Sequence, residues 1–380
     1  MDMKRLFCIF CALVLFSAAA VPARAAGPQV SAKSAVLMDV ATGTVLCEQD
    51  AHARLAPASV TKVMTMLLIM EAIDSGVIKW SDTVTASETA AAKGGSQVYL
   101  KAGETMTVEE MLKSIAVSSA NDCACAMAEH LCGSESAFVD AMNKRAEELG
   151  MADTHFVNCT GLDDDPAAKE HLTSAWDIAI MSRELLGKHP DIKKFTTIWM
   201  DTIRGGSFGL SNTNKLVRFY NGATGLKTGF TSGAGYCLSS SALRDGMELV
   251  AVVMGCESSQ ERFAACKSLL DYGFATYALI TPELPEQLSV PVKLGKQDTV
   301  PVTLENAEAQ LLEKAQKSMA KITYEVDESV TAPVSRGQRL GTLRIMAGEQ
   351  ILSELPLTAA EPVDRISFGG MLLQVLRGYI

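Results

Sequence analysis

The chain has 380 residues, 48% hydrophobic and 21% charged, the balance of an ordinary folded protein with room for two domains. A net charge of −10 argues against nucleic acid as a partner, because phosphate recognition needs clustered cations. No cofactor is called for, and metal is not expected. His52, His130, His155, His171 and His189 never recur at i, i+4, and Cys123-Ala124-Cys125 lacks zinc-knuckle spacing.

Residues 1–25 have the three parts of a secretory leader: Lys4 and Arg5, an apolar run over 6–20, and the small-x-small site Ala23-Arg24-Ala25. The mature chain is therefore expected to begin near Ala26 and to work outside the cytoplasm. Cys8 and Cys11 leave with the leader. Cys11 lacks the pattern of a lipid acceptor, and the pairing of the remaining cysteines cannot be read from spacing.

Short strands at 36–39 and 44–47 flank Thr42-Gly43 as a hairpin. A helix over 59–73 follows from the spacing of Val60, Val63, Met64, Met66, Leu67 and Met70, and Asp74-Ser75-Gly76 stops it. Two helices are expected over 108–133, broken near Ser118-Ser119. Further helices fall at 136–149 and 174–186, the latter opened by Ser174-Ala175-Trp176-Asp177 as a capping box. From Gly225 the period changes to two. Residues 226–230, 235–243 and 247–254 read as antiparallel strands with Asp245-Gly246 as a turn, and a helix over 261–272 closes the region. Helices inserted between an N-terminal hairpin and a later run of antiparallel strands make one α+β domain over 26–280.

Thr281-Pro282-Glu283-Leu284-Pro285 reads as a linker. Strand patterns at 287–294, 299–304, 321–325, 340–346 and 350–355 predict a small β-rich domain over 281–362. In the tail, 363–380, Phe368, Met371, Leu372, Val375, Leu376, Tyr379 and Ile380 share one helical face. That face is too short to span a bilayer. It suits either a membrane-surface anchor or a helix docked on its own protein.

Three motifs stand in order: Ser59-Val60-Thr61-Lys62, Ser119-Ala120-Asn121 and Lys227-Thr228-Gly229. A hydroxyl needs a base to become a nucleophile, and three residues of helix bring Lys62 beside Ser59. Burial and the like charge of Lys227 are expected to depress the Lys62 pKa, giving a neutral amine. Ser119 would relay a proton to the leaving amine, and the Asn121 amide would hold Lys62 or a substrate carbonyl. Lys227 and Thr228 belong on an edge strand, where an extended peptide adds, with Gly229 leaving it room. A second Ser-x-x-Lys, Ser318-Met319-Ala320-Lys321, has no partner motifs after it.

This ordered set resembles the serine D-alanyl-D-alanine carboxypeptidases, low-molecular-mass penicillin-binding proteins that share a fold with class A β-lactamases. So do Leu100-Lys101-Ala102-Gly103, Thr154-His155-Phe156 and Gly161-Leu162-Asp163; the likeness is strong over 30–275. The resemblance implies a DD-peptidase domain, an acyl-enzyme on Ser59, and peptidoglycan stem peptides as substrate. It also implies acylation of Ser59 by β-lactams, and an oxyanion hole made by the backbone N–H groups of Ser59 and Phe230. Of the alternatives, a β-lactamase of class A would need a Glu-x-x-Leu-Asn loop between Asn121 and Lys227, which is missing. A transpeptidase differs only in its acceptor amine, and a non-catalytic wall-binding protein would have lost a nucleophile or base. Some family members carry an arginine just after the strand that here ends at Val253-Met254-Gly255. This chain has Cys256-Glu257 there, so Lys227 and Thr228 are expected to hold the substrate carboxylate, with no such role for Arg262.

Overall fold

The computed structural model describes residues 27–304 and 309–371. The expected leader and the tail from Leu372 onward lie outside the described residues.

The first domain is built on five antiparallel strands, β1 (Ser34–Asp39), β2 (Val45–Gln49), β3 (Ala223–Thr231), β4 (Gly235–Arg244) and β5 (Met247–Cys256), in the order β2-β1-β5-β4-β3. Asp39 closes the first hairpin by accepting from the Thr42 amide and hydroxyl. Asp245 and Gly246 both take positive φ, 49° and 77°, the geometry of a tight two-residue hairpin turn. The sheet is covered on both faces. Val36, Met38, Val250, Val252 and Met254 point into a helical core, while Leu37, Leu249, Ala251 and Val253 point into a second core on the other face. Each buried Val, Leu or Met side chain among these contributes roughly 1.5–3 kcal/mol.

The helical core gathers α1 (Lys62–Asp74), α2 (Val108–Ser118), α3 (Asn121–Cys132), α4 (Glu135–Glu148) and α5 (Ala175–Lys188). Helix α1 is apolar on nearly every side, with Val63, Met64, Met66, Leu67, Ile69 and Met70 all buried, so it runs through the core and fixes the residues at its start. Helix α6 (Ser259–Thr276) covers the opposite face of the sheet. Only half of the expected capping box forms on α5. The Ser174 hydroxyl accepts from the Asp177 amide, but the Asp177 carboxylate turns to the Asp153 amide and the Thr154 hydroxyl. A complete box, Ser258 with Glu261, opens α6 instead.

Beyond the linker, β6 (Ser289–Lys293), β7 (Thr299–Leu304), β8 (Ala320–Val326), β9 (Val330–Thr331), β10 (Arg339–Ala347) and β11 (Gln350–Ala359) form one sheet in the order β8-β10-β11-β7-β6-β9. Val290, Val300, Leu340, Leu343, Ile345 and Leu357 fill its core. Two short strands, Tyr277–Ile280 and Gln310–Glu313, pair with each other beside this sheet and carry no strong pattern in the sequence. Residues 363–366 belong to the β-rich packing rather than to a tail. Val363 is buried and exchanges backbone hydrogen bonds with Val334, Lys296 reaches Asp364 at 2.8 Å, and the Ile366 amide donates to Leu294. A division after residue 362 therefore cuts through a packed segment. The helical turn begins at Ser367, whose hydroxyl accepts from the Gly370 amide. Among the described residues no helix is long and apolar enough to cross a membrane.

Candidate active site

Ser59 sits in a one-turn 3-10 helix, Ala58–Thr61, that runs directly into α1. The turn is braced from behind. The Val157 amide donates to His171 Nδ1 at 3.0 Å, which leaves the ring proton on Nε2 to donate to Thr61 Oγ1 at 2.8 Å; the Thr61 hydroxyl then donates to the Ala58 carbonyl at 2.8 Å. Burial pushes the His171 pKa down to about 4, so this neutral tautomer persists. Ala58 is held at φ 48°, a region few residues other than glycine occupy. Gly161 presses against the same turn, and a Cβ there would stand 1.8 Å from the Ala58 carbonyl oxygen.

Lys62, the first residue of α1, is wholly buried. Its Nζ lies 3.0 Å from Ser59 Oγ and 2.8 Å from the Thr160 carbonyl. Burial lowers its pKa to about 7, partly offset by Asp122 and Cys159. The repulsion expected from Lys227 shows on Lys227 itself, which burial first and Lys62 second hold well below the ordinary lysine range. A neutral Lys62 amine has two N–H groups and one lone pair. With one N–H on Thr160, the lone pair is available to the Ser59 hydroxyl proton.

Ser119 ends α2 in a left-handed conformation (φ 63°), and Asn121 opens α3 two residues later. Both are buried. The Asn121 amide does not hold Lys62. Its Nδ2 donates to the Gly94 carbonyl at 2.7 Å and its backbone N–H to Ser96, tying the 94–96 loop to the site. Its Oδ1 is buried without a partner. The next residue, Asp122, accepts from the amides of Val98, Leu100 and Cys123 and secures the same loop.

The third motif lies on β3, at the edge of the sheet. Lys227 Nζ donates to the Thr228 carbonyl at 2.9 Å, and the Thr228 hydroxyl donates to Thr213 at 2.7 Å. The Thr213 amide reaches Val117 on α2 and so joins the second and third motifs. Gly229 makes room for the Ser59 turn, since a Cβ would lie 2.6 Å from the Pro57 carbonyl and 3.1 Å from the Ser59 nitrogen. That contact brings the backbone of Ser59 beside that of Gly229, the residue before Phe230. The Phe230 ring is half exposed and packs 4.3 Å from Tyr236. Arg262, from α6, donates to the Gly229 carbonyl at 2.9 Å from behind the strand. Thr213, His171, Thr160 and Arg262 went unassigned from sequence.

Residues 21–258 match the family model for D-alanyl-D-alanine carboxypeptidase, and residues 285–365 match that for the C-terminal domain of penicillin-binding protein 5. The chain belongs to the D-alanyl-D-alanine carboxypeptidase family. It is 45% identical over 344 residues to the D-alanyl-D-alanine carboxypeptidase DacF of Bacillus subtilis, covering 89% of this chain and 87% of that one. Penicillin-binding protein 5 of Haemophilus influenzae superposes with a TM-score of 0.74 at 30% identity, over 89% of this chain and 99% of that one. Penicillin-binding protein D2 of Listeria monocytogenes in its ampicillin-bound form matches 65% of this chain and 99% of its own, with a TM-score of 0.59 at 31% identity. Its shorter span leaves room for only one of the two domains that this carboxypeptidase family member carries.

Proposed function

We propose that the chain is a serine D-Ala-D-Ala carboxypeptidase that trims the terminal D-alanine from peptidoglycan stem peptides. The observation that carries this is the 3.0 Å contact between Ser59 Oγ and a buried Lys62 amine whose pKa is lowered to about 7. Ser59 Oγ attacks the carbonyl carbon of the penultimate D-alanine while its proton passes to Lys62 Nζ. The N–H groups of Ser59 and Phe230 hold the oxyanion, and Lys227 with Thr228 receives the terminal carboxylate, whose arrival restores the ammonium of Lys227. As the C–N bond breaks, a proton delivered by way of Ser119 converts the leaving nitrogen to the amine of free D-alanine. Water, deprotonated by Lys62, then attacks the ester; the acyl C–O bond breaks and Ser59 regains its proton. A β-lactam enters the same first step, but its leaving nitrogen stays tethered to the acyl group. Intact mass after incubation with penicillin, together with D-alanine release from a pentapeptide, tests the reading. Absence of a single adduct on Ser59 refutes it.

The same reading puts the enzyme outside the cytoplasm, with residues 1–25 removed and the catalytic domain over 26–280. The β-rich domain extends to Ile366, and a tail from Ser367 anchors it to the outer face of the cytoplasmic membrane. Phe368, at the start of the tail, is 81% exposed, an unusual state for so large an apolar ring. Sedimentation with anionic lipid vesicles checks the anchor. Full-length mature protein should bind and a chain ending at Ile366 should not; failure of the longer form to bind leaves the docked helix.

A further inference from the structure

Arg262 is a cation buried without a counter-ion. It is 8% exposed, with its guanidinium carbon 5.3 Å from the Tyr236 ring and 4.9 Å from that of Phe263. No ion pair reaches it among the described residues. The carboxylate of neighbouring Glu261 is occupied by the amides of Glu257 and Ser258. Arg262 Nε has no partner at all. A buried charge kept without an anion opposes folding, so a polar role must be sought where its remaining bonds go.

Those bonds converge on one place. Nη1 donates to the Gly229 carbonyl at 2.9 Å and to the Cys237 carbonyl at 3.4 Å, and these two residues face each other across β3 and β4. The Gly229 carbonyl belongs to the same peptide group as the Phe230 N–H. In a trans peptide the C=O and the following N–H point in opposite directions. A guanidinium fixed on an oxygen that it shares with Cys237 on the paired strand therefore aims the N–H the other way, towards the open edge of β3, beside the face on which the Pro57–Ser59 turn packs against Gly229. A positive charge on the carbonyl side also draws electron density through the amide and makes its N–H a stronger donor.

We infer that Arg262 is a positioning residue for the oxyanion hole, holding and polarising the Gly229–Phe230 peptide from the far face of the sheet. This rests on the carboxypeptidase reading, in which Phe230 N–H receives the oxyanion. Arg262 acts on the transition state, where charge develops on that oxygen, and little on the ground state. Its charge also reaches Lys227, adding to the repulsion that lowers that amine and to the positive potential awaiting a substrate carboxylate.

The test compares Arg262→Met and Arg262→Lys with the unmodified enzyme by stopped-flow acylation with a fluorescent penicillin, which separates initial binding from the limiting rate. Loss of one complete oxyanion donor lowers rates about 10²–10³-fold, so weakening one should cost about tenfold in the methionine variant. Initial binding should stay within about twofold, and lysine should restore part of the rate. The affinity of a boronic acid analogue of D-alanine, whose tetrahedral adduct carries an oxygen at the oxyanion position, should fall by a similar factor. The carbonyl stretch of the penicilloyl ester, read by infrared difference spectroscopy, should move to higher frequency as the hole weakens. A merely structural role would not move that stretch. Should the methionine variant not fold, Arg262→Gln supplies the neutral comparison with the same expected direction. An unchanged limiting rate and ester stretch in a folded neutral variant overturns the inference, as does a loss confined to initial binding. Labelling of Ser59 in the unmodified chain is the control for the underlying reading, so the two failures are told apart.

Discussion

Ser59-Val60-Thr61-Lys62 and Ser318-Met319-Ala320-Lys321 share a spacing and nothing else. In the first, the serine turn is braced by His171 and Thr61, the lysine is buried, and the amine meets the hydroxyl. In the second, Ser318 closes a short helix, Lys314–Met319, and its hydroxyl donates back to the Ala315 carbonyl. Lys321 lies exposed on β8, paired with Met346. Ser318 opens onto a cavity of about 560 Å³ shared with Arg244, Phe274 and Tyr277, with no residue of the other two motifs in its lining. A four-residue pattern becomes chemistry only when the chain around it removes water from the lysine and gives the serine one direction.

The comparison breaks most sharply at the nucleophile. Ser59→Ala should lower penicillin acylation and D-alanine release by at least about 10⁴-fold, while Ser318→Ala leaves both within twofold, as read by intact mass and a D-alanine assay. Persistent labelling of the Ser59 variant would end the distinction between the two sites.

The lysines come next. Lys62→Arg keeps a charge that cannot be shed and should slow acylation by about 10³-fold, whereas Lys321→Arg should do nothing. The base is the deprotonated amine, so in the unmodified enzyme the acylation rate should climb as pH rises through about 7 and level off above it. A flat profile from pH 5 to 9 would mean that Lys62 serves only as a fixed charge.

A smaller effect is expected at the contact that joins β3 to the nucleophile turn. Gly229→Ala puts a methyl group 2.6 Å from the Pro57 carbonyl and should displace the oxyanion donors, costing about 10²-fold in acylation and about 1–3 kcal/mol in stability. Normal kinetics in that variant would show that the turn yields freely.

Stability should move in the opposite sense to activity, and least of all. Lys62 binds its proton more weakly in the folded than in the unfolded chain, so its charge opposes folding in full below about pH 7, and that penalty fades as pH rises towards 10.5. Lys62→Met should therefore stabilise the inactive protein at pH 6 by about 1–3 kcal/mol, with Lys321→Met within about 0.5 kcal/mol of zero. Denaturant midpoints give both values; a destabilised Lys62→Met would mean that its packing outweighs the relief of charge.

What could be read from the residues was local. Ser59 and Lys62 meet because i and i+3 share a helical face, and β3, β4 and β5 announced themselves by alternation and an Asp-Gly turn. The unread parts depend on residues far apart in the chain. His171 braces Thr61 across 110 positions, and Arg262 reaches Gly229 across 33. Neither leaves a periodic trace. The Asn121 amide is expected from the motif to hold Lys62 or a substrate carbonyl; its Nδ2 instead donates to Gly94, a partner 27 residues away that no local spacing announces. The boundary after residue 362 is blurred for a similar reason: Val363 pairs with Val334 and Ile366 donates to Leu294, partners 29 and 72 residues away that leave no local pattern.

The free edge of β3 has a further consequence. An open strand edge that receives a peptide also invites the edge of another molecule, and long exposed edges are aggregation sites. Here the start of the strand is already engaged by side chains. Thr196 donates to the carbonyl of Thr224 and Asn214 donates to that of Gly225. The remaining backbone is shorter than the nine-residue strand, and that limits the length over which another molecule's edge could pair with it.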